Sequence, residues 1–464
     1  MERASDPDKS DEMIRKSILW NALHFRYNLM NFVNCLLQAS TRMKQSRKAV
    51  RMGIEREAEA LPTPRSIERP SGYAWVILAI LYIASVASAL NQFKVPPVLP
   101  VLIQAFHLSL SNAGMLMSIF SFTGFLLALP AGFIMQRLGL KTTGMIAVGA
   151  VFIGSAIGMF CSTANSMLVS RFIEGAGIGL ITIVAPAAIS LWFPVKMRGT
   201  PLGLWTTCMP VGSILMFNLA PWLAEMGGWQ SIWKAGAAFS LAAFVLFGIF
   251  FRMPKPEEVA EKPLSNEVKP ENEEPLNHIK ALANAGLWLI TVQFFCFNLV
   301  CLALSTYYPT FLNTVRNYSL PAASFAFSLC TIAAVFSQPL GGYLSDRLGI
   351  RRRMIIFSSI ILAALCVFPF FATGWMIPAF TISLGIIAGS IVPATFAAVP
   401  EIMGSQRLAG LGMAVLAMGQ NLGMFVGPIV FGWLAESIGW TAAGYILAPV
   451  SVISVIAVWL AKFR

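Results

Sequence analysis

The sequence predicts an all-α integral membrane protein whose twelve transmembrane helices fall into two matching sets of six. Three observations carry this expectation. Apolar letters make up 57% of the 464 residues and charged ones 12%, with a mean hydropathy of +0.71. A soluble domain carries roughly 25% charged residues, so lipid must solvate most of this chain. Apolar runs of the roughly 20 residues needed to cross a bilayer recur along the sequence. Several phrases are also written twice, about 210 positions apart.

The spans begin near Ala74, Ala113, Thr142, Met167, Leu202 and Ile232, then, after a break, near Leu287, Ala322, Met354, Met376, Gly410 and Thr441. Gly and Pro punctuate many of them, which transmembrane helices tolerate better than soluble ones. The break holds Pro254, Pro256, Pro263, Pro270 and Pro275 among mixed charges and reads as a flexible linker. The expected organisation is therefore an N-terminal extension over 1–72, six helices over 73–251, a linker over 252–284 and six helices over 285–464.

Loop charge sets the expected orientation. Alternate loops carry Arg137 and Lys141, Lys196 and Arg198, Arg347 with Arg351, Arg352 and Arg353, then Arg407; Lys462 and Arg464 close the chain. The intervening short loops hold little beyond Arg316. By the positive-inside rule the first set of loops, the linker and both termini face the cytoplasm, in a plasma (inner) membrane. Much of the net charge of +12 is thus topology information, and nucleic acid is not an expected partner. Within 1–72, Ile18, Ala22, Phe25, Leu29, Phe32 and Leu36 repeat every three or four positions, consistent with an amphipathic helix on the anionic leaflet. Translation starting at Met43 or Met52 is the competing reading; a cleaved signal lacks its apolar core.

The duplication is legible in four places. "WLAEMGGW" at Trp222–Trp229 returns as "WLAESIGW" at Trp433–Trp440, an offset of 211. "GFIMQRLGLK" at Gly132 matches "GYLSDRLGIR" at Gly342, and Gly175 and Gly179 match Gly385 and Gly389, all at 210. Pro97 in the first span corresponds to Pro309 in the seventh at 212. One ancestral set of six helices, copied, explains all four.

These phrases resemble the major facilitator superfamily of secondary transporters. "GGYLSDRLGIRRR" resembles its loop signature G-x-x-x-D-R-x-G-R-R, and "RFIEGAGIG" its fourth-helix pattern R-x-x-x-G-x-G. "FKVPPVLPVL" and "FPVKMRG" are similar to the branch that moves small anions such as cyanate. The resemblance covers about Gly72 to the C-terminus. It implies two pseudo-symmetric six-helix bundles, a substrate site between them near mid-membrane, and alternating access by rocking. It also implies a conformational latch at Gly132, Gln136, Arg137, Gly342, Asp346, Arg347 and Arg351, weaker in the first half where Gln136 replaces the acid. Gly342 is expected to let the eighth helix approach a neighbour closely. "WTTCMPVGS" lacks the Gly-Pro pairing of the antiporter motif, which counts against drug/proton antiport.

Charges inside apolar helices each cost about 2.5–3.5 kcal/mol at mid-bilayer. Three stand out: Lys94, Arg171 and Glu174. The i, i+3 spacing lets Arg171 and Glu174 neutralise each other, as structure or as a proton- or substrate-coupled switch. Neither has a charged counterpart in the second half, where Thr381 and Leu384 stand. Lys94 has no acidic neighbour in its own helix. Either it snorkels out of the membrane or sits in a loop, or it faces the central cavity with Asn91 and Gln92, ready for an anion. Pro96, Pro97 and Pro100 break the helix beside it. Gln293, Asn298, Gln338, Gln420 and Asn421 are further cavity candidates, with Tyr307, Tyr308, Thr206, Thr207 and Asn218 alongside; any of them can equally be interhelical glue.

Other functions find little support. None of His24, His107 and His278 lies mid-span, and paired carboxylates, a nucleophile–base set and a Walker A sequence are all missing, so neither an enzyme nor an ATP-driven pump is expected. The seven cysteines are odd in number and include no CxxC pair, so no metal or cofactor is expected. The expectation is a permease for a small polar solute, most plausibly an organic or inorganic anion given two intramembrane cations against one acid. A neutral sugar, drug efflux or a non-transporting sensor remain alternatives. A coupling proton stays open as a partner, and no oligomer is required.

Overall fold

The computed structural model describes residues 71–254, 282 and 284–461, apart from the pairs 128–129, 195–196 and 404–405. The amphipathic stretch proposed within 1–72, most of the linker, Lys196, Lys462, Arg464 and the side chains of Asp346 and Arg407 lie outside the described residues.

The first span opens where Ser71 accepts a bond from Tyr73 N at 3.3 Å and runs as α1, Gly72–Gln92. Two prolines in succession cannot continue the ladder, so a 3₁₀ turn at Pro96–Val98 intervenes before α2, Leu99–Phe106. The second span is α3 (Leu110–Leu127) with α4 (Pro130–Leu138), the third α5 (Leu140–Gly158). The fourth, α6 (Ala164–Trp192), starts in a capping box of Thr163 and Ser166. Spans five and six are α7 (Gly199–Thr206) and the long α8 (Cys208–Phe250).

The second half repeats the plan. Span seven is α9 (Ala285–Thr314), begun by Asn284 accepting from Gly286 N at 2.9 Å. Then come α10 (Leu320–Leu348), α11 (Arg351–Leu365), α12 (Met376–Met403), α13 (Gln406–Ile438) and α14 (Trp440–Leu460).

Among the described residues, ten helical stretches are long and apolar enough to cross a membrane by themselves. The difference from twelve has two physical causes. Gly199–Phe250 contains two spans, joined at Gly227 and Gly228, where φ/ψ of −152°/26° and 69°/−179° interrupt the helix. In α11, three arginines occupy the first turn of a 15-residue helix, shortening its apolar part.

The copied phrase now has a structural meaning. Gly228 at φ 69° and Gly439 at φ 85° both adopt a backbone that favours glycine, each directly before a tryptophan that opens the next span. The halves also repeat their packing. A Cβ on Gly175 of α6 would collide with the Phe120 carbonyl of α3; on Gly385 of α12 it would collide with the Cys330 carbonyl of α10. Phe120 and Cys330 are themselves 210 positions apart, so the same helix pair closes on the same spot twice.

Inside each half, facing surfaces are rich in Ala, Gly and Ser, while large apolar side chains such as Phe133, Ile249, Phe336 and Trp459 stand exposed, as lipid-facing residues do. The ends near Ser71, Phe251 and Asn284 form the linker side; the opposite ends, at Phe106–Leu110 and Thr314–Leu320, form the distal side. Arg252, leaving α8 on the linker side, stacks over Tyr73 at 4.2 Å and Trp192 at 5.2 Å. The halves meet along two related seams, α3 against α13 and α8 against α10.

Candidate functional site

The helix break in the first span creates a chemical problem. Pro96 has no N–H, so the carbonyl of Gln92, four residues earlier, lacks its usual donor. Arg171 of α6 supplies the substitute. Its Nη2 donates to Gln92 O at 3.1 Å, its Nη1 to Asn91 O at 2.6 Å, and its Nε to Leu116 O of α3 at 3.1 Å. The planar guanidinium suits this fork of acceptors in a way an ammonium could not. Its face lies 4.5 Å from the centre of the Phe120 ring.

Arg171 Nη1 also donates to Glu174 Oε2 at 2.6 Å, one helical step along α6, while Glu174 Oε1 accepts from Lys94 Nζ at 2.6 Å. Lys94 sits in the break itself. Its other two donors go to Asn91 Oδ1 at 2.9 Å and Ser155 Oγ of α5 at 3.0 Å, and Trp233 of α8 lies beneath it at 4.4 Å. Asn91 in turn donates to Ala87 O and to Ser240 Oγ at 2.8 and 2.9 Å. Glycine makes the room: a Cβ on Gly154 would stand 2.6 Å from Glu174 Cγ, and one on Gly236 2.5 Å from Asn91 Oδ1.

Lys94, Arg171 and Glu174 are all 0% exposed. Two cations and one carboxylate leave the cluster formally at +1 in a region lined by lipid-span helices. The three ammonium donors of Lys94 are matched by three acceptors, which is how so costly a burial is sustained. All of its partners belong to the first half. Lys94 does not snorkel; it is buried within the break of the first span, and its acidic partner comes from another helix, 80 positions along the chain. Gln92 is buried beside the cluster, its Oε1 without a hydrogen-bond partner among the described residues.

The polar residues of the second half are not brought into this cluster. Gln293 is fully buried, its Oε1 accepting from Thr395 Oγ1 at 3.3 Å and its Nε2 unpartnered. Asn298 donates to Phe294 O of its own helix at 2.8 Å. Asn421 reaches across to the first half, its Oδ1 lying 2.9 Å from where a Cβ on Gly124 would be; beside it the tilted rings of Phe122 and Phe425 meet across the same seam at 4.9 Å. Gln338 and Gln420 are half-buried on α10 and α13.

At the linker-side loops, Gln136 and Arg137 are exposed, and Arg347 donates to Tyr343 Oη at 2.8 Å. Arg351 pairs with Glu401 and donates to Ala397 O at 3.2 Å, tying α11 to α12. The close approach expected at Gly342 lies one residue earlier. A Cβ on Gly341 would stand 3.0 Å from Ser390 Cα, whereas on Gly342 the nearest atom, of Pro393, is an ordinary 3.6 Å away. Among the described residues, nothing crowds Gly132 within 4 Å.

Sequence reasoning missed Ser155, Trp233 and Ser240. The clue available was the small-residue run "GSAIG" around Ser155, which marks a close helix approach without naming what fills it.

A model of the Major Facilitator Superfamily matches residues 81–409 and 320–464. The chain belongs to this superfamily. Its scaffold is that of a membrane transporter and not of an enzyme. This superfamily member is 22% identical to the probable sulfoacetate transporter of Cupriavidus necator, over 78% of this chain and 88% of that protein. It is 21% identical to the hexuronate transporter of Bacillus subtilis, over 80% and 90%. Its fold is similar to the crystal structure of a bacterial homologue of the human lysosomal transporter Spinster in an inward-facing, unoccupied conformation. The TM-score is 0.72 at 16% identity, covering 85% of this chain and 98% of that one.

Proposed function

We propose that this superfamily member carries small organic anions across the membrane by alternating access, the halves 73–251 and 285–464 rocking as units about the gap between them. The observation that carries the reading is the buried cluster of Lys94, Glu174 and Arg171 with its formal excess of one positive charge. A fixed cation in a low-dielectric bundle raises the local concentration of anions in an adjoining gap and does nothing for a neutral sugar. The names of the two relatives support the same class, since sulfoacetate and hexuronate are both small anions. Asn298, Gln338, Gln420 and Asn421 are the second-half side chains proposed to meet the solute.

The linker side is proposed to be cytoplasmic, from the loop arginines and lysines, in a plasma membrane. The conformation described is proposed to be open to that side, because the cross-half pairings of Asn421, Phe122 and Phe425 lie at or beyond mid-span towards the distal ends. Proton coupling is proposed to be an additional feature.

Purified full-length protein in proteoliposomes tests the proposal. Saturable uptake of labelled tartrate, sulfoacetate or a hexuronate, with no uptake of glucose, is the expected result. Glucose uptake with indifference to all three anions overturns it. Collapse of anion accumulation by a protonophore is expected if a proton is co-transported.

A further inference from the structure

Where the two halves touch on the distal side, two hydrogen bonds join them among the described residues, and the duplication relates one to the other. On one seam the Tyr307 hydroxyl of α9 donates to Leu110 O at the start of α3, at 2.6 Å. It lies in a slot that exists only because Gly114 of α3 and Gly432 of α13 have no side chain: a Cβ on either would collide with Tyr307 Oη, and on Gly114 it would also stand 2.5 Å from Pro428 O. The phenol ring is held from behind by Phe431 at 5.4 Å and Trp440 at 6.1 Å.

On the other seam Ser324 Oγ of α10 donates to Pro97 O at 3.2 Å, in the 3₁₀ turn of the first span. Ser324 stands at the 210-offset counterpart of Gly114, and Pro97 lies two residues from Val95, the counterpart of Tyr307 at 212. Phe217 and Phe327 at 5.3 Å, and Ser213 and Thr331 at 3.4 Å, continue this seam towards mid-span. In each case a span-1 or span-7 segment meets the start of span 8 or span 2 of the other half, and in each case the acceptor is a main-chain carbonyl.

We propose that Tyr307–Leu110 and Ser324–Pro97 form a twin lock that holds the distal side closed, and that both bonds must break before the halves can rock. The lock rests on the alternating-access reading for its role in transport, though not for its existence. Its donors are hydroxyls that hydrate readily once the seam parts, so it can open at modest cost. The second seam is the weaker one: a longer bond from a small side chain, with no glycine slot around it.

The test is a pair of distance distributions by spin labelling of full-length protein in lipid nanodiscs, in a cysteine-free background. One pair, Asn112 and Ser437, spans the distal side; the other, Leu138 and Leu348, spans the linker side, and all four positions are exposed. Tyr307→Phe with Ser324→Ala removes both bonds and leaves the ring contacts with Phe431 and Trp440 in place. The ratio of distal-closed to distal-open molecules is expected to fall about tenfold, the net value of two such bonds, with the linker-side pair moving oppositely. Gly114→Ala, which fills the slot, is expected to shift the populations the same way. Unchanged distributions in both variants overturn the lock. Because the readout needs no solute, a protein that shifts its distances but takes up none of the anions keeps the lock and loses the proposed substrate class.

Discussion

Replacing Glu174 by Gln probes the charge cluster most directly. The substitution keeps the shape of the side chain and removes its charge, so Lys94 and Arg171 lose the carboxylate that each meets at 2.6 Å. The cluster goes from a formal +1 to +2 while both cations stay fully buried. Removing one partner of a buried ion pair costs about 3–5 kcal/mol, because the survivor is left uncompensated. Lys94→Met alone is expected to cost about 1–3 kcal/mol, for the acceptors it strands on Asn91 and Ser155. The double variant returns to +1, so its cost should fall short of the sum by about 2–3 kcal/mol, the upper end for residues in one network. Unfolding of the full chain titrated with SDS in mixed micelles gives all four free energies. Trp233, 4.4 Å from the ammonium, offers a local fluorescence signal. Additive costs, within about 0.5 kcal/mol, would refute the claim that the three charges act as one unit.

Arg171→Lys keeps the charge and loses the fork that serves the Asn91, Gln92 and Leu116 carbonyls. It should destabilise the protein by about 2–4 kcal/mol and speed hydrogen exchange at 93–98, read by mass spectrometry. Gly175→Ala and Gly385→Ala should each cost about 1–3 kcal/mol by pushing against equivalent carbonyls, those of Phe120 and Cys330; a large effect in one half only would contradict equivalent packing. Arg351→Gln breaks a pair whose side chains are 24% and 38% exposed, so its effect on unfolding should stay within about 1 kcal/mol.

Much of the architecture was legible because hydrophobic length and duplication are one-dimensional signals. The copied WLAE phrase put the same helix end in both halves, although the left-handed glycines within it, Gly228 and Gly439, emerge only in the structure. The i, i+3 spacing of Arg171 and Glu174 was legible too, because their contact is local to one helix. What escaped detection was non-local. Lys94 finds its acid in another span, and nothing in "NQFKVPP" points to position 174. Tyr307 was visible as a polar residue near a helix end, yet its acceptor is a backbone carbonyl, which has no letter of its own. The count of separate helices differed for two local reasons: Gly227 and Gly228 redirect the chain within one helical run, and three arginines shorten the apolar part of α11.

The repair of the Pro96 break by Arg171 has a consequence for how the polypeptide is made. When the first span leaves the ribosome it carries an unpaired lysine and a carbonyl without a donor, and the side chains that satisfy both are still about 80 positions downstream in the message. At roughly 5–20 residues per second, that wait lasts several seconds. Until the fourth span arrives, the kinked segment has to stay in contact with water or with the insertion machinery, and its final bend is set only after the two spans between have been threaded.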